Sequence, residues 1–178
     1  MNIESLTVAG AFLVRPDAQV DERGAFARTF CHATFAKEGL ETGYRQCSTS
    51  FNTHKHTLRG MHYQVSPHEE VKLVRCTRGA ACHVIVDLRP ESDTFCKWAR
   101  VELNSDNRNL LYVPAGVAHG FITLSDATEI FYQITTDYEP DSARGVRWDD
   151  PKFGIEWPAT PTVVSERDAA WPDYEAQD

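Results

Sequence analysis

Thr57-Leu58-Arg59-Gly60-Met61-His62-Tyr63-Gln64, followed after a polar gap by Val71-Lys72-Leu73-Val74-Arg75, is the stretch on which the fold turns. Both runs are apolar and β-prone, and their side chains alternate. Lys72, Val74 and Cys76 share one face of a strand, while Leu73 and Arg75 share the other. The same alternation puts Arg59 and His62 on opposite faces. Both reach one pocket only if the strand is irregular between them, and Gly60 is the residue at which a bulge would fit.

Outward from this stretch the period stays near two. Strands are expected at Leu6–Val14, Ala25–Phe30, Tyr44–Phe51, Thr57–His62, Val71–Arg78, Ala81–Asp87, Trp98–Leu103, Asn109–Val113, Gly120–Leu124 and Glu129–Thr136. Turn formers separate them, among them Ser66-Pro67, Arg78-Gly79, Arg89-Pro90 and Pro114-Ala115-Gly116. Pro16 to Gly24 reads as a polar loop. His32 to Gly39 carries a helical pattern, which Gly39 ends. Many short strands at this spacing predict an all-β sandwich, jelly roll or barrel. The proline- and charge-rich tail from Asp137 wraps around it.

A chain of 178 residues with 42% hydrophobic and 25% charged residues fits one globular domain, residues 1–178. A net charge of −8 without any basic run argues against nucleic acid and anionic membranes as partners, but not against a small anionic ligand. The first residues lack a signal-peptide pattern, and no apolar run approaches the ~20 residues needed to span a bilayer. Five cysteines, none in a Cys-x-x-Cys pair, fit reduced thiols and a cytoplasmic location.

The chemistry gathers around His62. A histidine among β-strands is often only a hydrogen-bonded packing residue, but this one has cations on both sides. Neutral imidazole accepts a proton near pH 7. A base beside fixed positive charge suits proton abstraction from carbon next to a carbonyl. Lys72 would hold the resulting enolate oxygen; its bland alternative is a surface lysine. Arg59 and Arg23 are candidates for a diphosphate, which a guanidinium binds through paired oxygens. His119 follows a proline–glycine turn and is a candidate second polar wall of the pocket. Gln46 and Ser50 lie where small polar residues would edge a binding site. Tyr132, between Ile130 and Ile134, fits equally a core tyrosine with a satisfied hydroxyl.

This stretch, together with Asp21-Glu22-Arg23-Gly24, Val86-Asp87-Leu88-Arg89, Pro114-Ala115-Gly116-Val117-Ala118-His119-Gly120-Phe121 and Trp148-Asp149-Asp150-Pro151, resembles the dTDP-4-dehydrorhamnose 3,5-epimerase family in order and over nearly the whole chain. The resemblance implies a cupin-like jelly roll with one or a few short helices. It also implies a cofactor-independent, metal-free epimerase of a nucleoside-diphospho-4-keto-6-deoxy-hexose. It makes His62 the base, Asp168 in Val163-Val164-Ser165-Glu166-Arg167-Asp168 its dyad partner, Lys72 an active-site lysine and Tyr132 the acid. It further implies a homodimer with exchanged strands, in which Arg23 and an aromatic, Phe26, reach the neighbouring subunit's site.

Three positions depart from the family pattern. Arg28 stands where an acid is usual near the nucleobase, Ser48 where Asn is usual, and His83 where Asp is usual. Arg28 leaves a CDP- or GDP-sugar 3-epimerase open beside a dTDP-sugar enzyme. Two other classes compete. A metal-dependent cupin would draw on His54, His56, His62 and His119, although no carboxylate follows at the usual spacing. A non-catalytic sugar-nucleotide-binding module would keep the cations and dispense with base and acid.

Overall fold

The computed structural model describes residues 1–175, so the last three residues of the expected 1–178 domain lie outside the described residues. In chain order the elements are β1 (Asn2–Ser5), β2 (Phe12–Arg15), β3 (Ala18–Asp21), β4 (Gly24–Ala27), α1 (His32–Lys37), β5 (Gln46–Asn52), β6 (Leu58–Gln64) and β7 (Lys72–Arg78). They continue with β8 (Ala80–Asp87), β9 (Trp98–Asn104), β10 (Leu110–Val113), β11 (Val117–Thr123), β12 (Thr128–Ile134), β13 (Ala143–Gly145) and α2 (Glu166–Ala169).

Two antiparallel sheets form the expected all-β, cupin-like sandwich. One runs β1-β2-β10-β7-β12-β5, the other β13-β6-β11-β8-β9, and β3-β4 stands apart as a hairpin. The inward alternate positions of both sheets make one core: Val74, Cys76, Leu111 and Ile130 from the first meet Ala81, Ile85, Leu103 and Phe121 from the second. The sharing of faces expected for β7, β8 and β12 therefore holds.

Two local expectations are corrected. The apolar run Leu6–Val14 is not one strand: Leu6–Ala11 is the turn of a hairpin, and only Phe12–Val14 is strand, the part of β2 that pairs back on β1. The turn is closed by the Leu6 amide donating to the Ala11 carbonyl, with Gly10 at φ +75°. Val8 and Ala11 are apolar because the turn itself is packed into the core. The polar segment 16–24 is likewise not a loop throughout, since β3 pairs with β4 across it. The tail wraps as expected: β13 adds to β6, and a parallel bridge joins Thr57 to Val163.

The irregularity expected at Gly60 is present. His62 pairs with His119 but Arg59 pairs with Phe121, so β6 carries one extra residue against β11. Gly60 has φ +124°, and a Cβ there would stand 2.5 Å from the Gly120 Cα. Only glycine lets the two backbones approach this closely.

Candidate active site

The bulge decides what the cavity contains. It turns Arg59 and His62 toward one space of about 480 Å³, into which Lys72 of β7, His119 of β11 and Tyr132 of β12 also project. Ser48 and Ser50 of β5 line its edge. Lys72, Tyr132 and the β5 serines come from one sheet, His62, Arg59 and His119 from the other. A ligand in the cavity thus lies between two walls.

Asp168 reaches this space from α2, with Ser165 as N-cap. Its Oδ1 lies 2.7 Å from His62 Nε2, and its Oδ2 accepts the Gly60 amide at 3.1 Å. His62 is 42% exposed at the side chain and Asp168 only 5%. Burial raises the Asp168 carboxyl, but the bonds from His62, Gly60 and Ser165 outweigh it and hold the group below its ordinary value. A charged Asp168 accepts the Nε2 proton, which leaves His62 Nδ1 as the free basic nitrogen.

Lys72 is nearly buried. Its ammonium pairs with Glu70 at 2.8 Å and donates to the His62 carbonyl at 3.2 Å. Burial pushes the Tyr132 hydroxyl well above the usual phenol range, opposed by the Arg59 charge, so it stays protonated. Its ring meets that of His119 edge-on at 6.1 Å. His119 is bonded on its inner side to His83, Nε2 to Nδ1 at 3.0 Å. Arg59 is held from the side, its Nε donating to the side-chain Oδ1 of Asn52 at 2.8 Å.

Other expected site residues fall elsewhere. Gln46 does not line the cavity; its amide donates to the Thr136 carbonyl at 2.8 Å. Arg23 and Phe26 sit on the outlying β3–β4 hairpin, Arg23 paired with Asp21 and Phe26 74% exposed. Phe26 and Arg28 line a separate, smaller cavity of about 230 Å³. His54 and His56 lie in the turn before β6, apart from His62 and His119. Among the described residues no three His, Cys, Asp or Glu side chains converge as metal ligands.

Several lining residues had no signal in the sequence. Glu70, Tyr138, Arg144 and Arg167 all border the cavity. Glu70 precedes β7 in a charged run that reads as solvated, and Arg144 and Arg167 are brought in by the tail. Arg167 rests over the Trp171 ring at 5.6 Å, at the cavity mouth.

Comparison with known proteins shows what the whole chain resembles. The family model described as dTDP-4-dehydrorhamnose 3,5-epimerase matches residues 5–176. A dTDP-4-dehydrorhamnose 3,5-epimerase of Sinorhizobium fredii is 43% identical over 173 residues, covering 97% of this chain and 89% of its own. The crystal structure of a dTDP-6-deoxy-D-glucose-3,5-epimerase from Legionella pneumophila, in complex with dTDP-4-keto-L-rhamnose, superposes with a TM-score of 0.89 at 34% identity. The match covers 96% of this chain and 90% of that one. A 3'-monoepimerase from Streptomyces bikiniensis in complex with dTDP-quinovose gives a TM-score of 0.88 at 30% identity, over 95% of this chain and 86% of that one.

Proposed function

The chain belongs to the dTDP-4-dehydrorhamnose 3,5-epimerase family and is an isomerase, and we propose that it epimerises a dTDP-4-keto-6-deoxy-hexose beside the ketone. The observation that carries this reading is the His62–Asp168 pair facing Tyr132 across one cavity.

The ketone acidifies the neighbouring C–H bonds. His62 Nδ1 takes one such proton, and Asp168 stabilises the imidazolium that forms. Negative charge grows on the ketone oxygen in the transition state, where the fixed ammonium of Lys72 acts most strongly. Inversion then needs a proton delivered to the other face of the planar enolate. Tyr132 stands on the opposite sheet from His62 and still carries its proton. Arg59 beside it favours the phenolate left behind. None of these steps calls on a cofactor or metal.

The diphosphate is bound by guanidinium groups at the cavity mouth, Arg59 among them, with Ser50 at the edge. The protein acts in the cytoplasm as one catalytic domain per chain and as a homodimer. The exposed β3–β4 hairpin, carrying Val20, Arg23 and Phe26, reaches the neighbour's cavity there. Val20 is 76% exposed, as an apolar side chain awaiting a partner would be.

The test is NMR of purified protein with the 4-keto-6-deoxy sugar in D₂O, prepared in turn with dTDP, CDP and GDP. Deuterium is expected at C3, at C5 or at both with dTDP, and each carbon is read separately because a 3'-monoepimerase shares the fold. His62→Asn should lower incorporation by about 10²–10⁴-fold. Tyr132→Phe should retain exchange of the abstracted proton but lose the inverted product. Unchanged incorporation in His62→Asn would sink the reading.

A further inference from the structure

His83 lies on β8 directly behind the cavity wall and does not itself line the cavity. It is fully buried, paired across β11 with Phe121 and across β9 with Val101. Its ring lies edge to edge with that of His119 and nearly coplanar with it, the centroids 5.3 Å apart at an interplanar angle of 15°. The two rings share one hydrogen bond, His83 Nδ1 to His119 Nε2, at 3.0 Å. The remaining nitrogen of His83, Nε2, is buried without a protein partner.

A hydrogen bond between two neutral imidazoles needs one N–H and one lone pair, which leaves two arrangements. If His119 donated from Nε2, His83 would carry its own proton on Nε2, as a buried N–H with no protein group to receive it. If His83 donates from Nδ1, the orphan is only a lone pair. Orphaned buried N–H groups are the rarer and costlier of the two. The second arrangement is therefore favoured, and it fixes the proton of His119 on Nδ1.

That nitrogen belongs to the ring that lines the cavity between His62 and Tyr132. We infer that His83 is a positioning residue for the proton transfer: by donating to His119 Nε2 it presents the His119 Nδ1–H to the substrate oxygen beside Lys72. This rests on the epimerase reading and deepens it.

Neither ring takes a second proton. Burial pushes the His83 imidazole down to about 3. Burial and then the charges that His83, Lys72 and His62 can carry hold His119 well below its ordinary value. The charged or titratable groups facing His119 are those three, with Tyr132 from β12. A neutral donor is what such a cation-rich wall can accommodate. It strengthens its bond as the enolate charge develops and adds no repulsion to Lys72.

The first experiment needs no variant. ¹⁵N-resolved imidazole spectra of the full wild-type protein should show His119 protonated on Nδ1 alone, and a proton on Nε2 would overturn the inference. His83→Asn keeps a donor near the Nδ1 position, so it should preserve the tautomer and the D₂O exchange rate within about threefold. His83→Leu removes the donor, so His119 should populate both tautomers and kcat should fall by about 100-fold with KM little changed. Equal rates and spectra in Leu and Asn variants would also overturn it. If the Leu variant does not fold, the wild-type spectrum still decides. Should wild-type protein show no exchange with any nucleotide, the epimerase reading fails while the tautomer result stands by itself.

Discussion

At the residue scale the site divides into groups that announce themselves and groups that do not. His62, Lys72 and Tyr132 lie on strands whose alternation sorts their faces, so the sequence alone places Lys72 with Val74 and Tyr132 with Ile130. Asp168 has no such context. It is 106 positions from His62 in a proline-rich tail, and only family resemblance singles it out. Glu70 escaped because it stands two positions before Lys72 in a charged run, and only burial turns that neighbour into a close ion pair. That contact gives a prediction. Lys72→Met leaves a nearly buried carboxylate without its ion, and should cost about 3–5 kcal/mol in urea unfolding. Adding Glu70→Leu should restore most of that stability while exchange stays down by about 10²–10³-fold. Recovered exchange in the double variant would show that Lys72 serves packing and not the enolate.

At the element scale the decisive feature is the extra residue in β6. It was legible as a conflict: Arg59 and His62 could serve one cavity only if the strand broke its period, and Gly60 stood between them. The hairpin β1–β2 was not legible, because its turn is as apolar as a strand for a different reason, burial in the core. β3 was hidden by the polarity of a hairpin whose strands pair with neither sheet. Gly60→Ala tests the bulge. The new methyl meets the Gly120 backbone at a φ that L-residues rarely adopt, so the unfolding midpoint should fall by an equivalent of at least about 1–3 kcal/mol. Exchange should fall as well, since the Gly60 amide is one of the groups that hold Asp168. A variant with wild-type stability would mean that β6 can straighten and that the cavity does not depend on its irregularity.

At the scale of the whole molecule the sandwich frames the cavity, and two pieces of chain lie outside it, the β3–β4 hairpin and the tail. The β3–β4 hairpin projects from it with two large apolar side chains in solvent, and a two-stranded ribbon is marginally stable unaided. Val20→Asp with Phe26→Asp should halve the mass seen by light scattering and lower kcat/KM together; an unchanged mass would refute the exchanged hairpin. The tail contributes Ser165, Arg167 and Asp168 to the cavity. Among the described residues all thirteen strands lie between residues 2 and 145, whereas the carboxylate bonded to His62 comes from residue 168. The sheets therefore carry the imidazole and the tail carries the carboxylate, so His62 has its partner only where the tail is docked against β6.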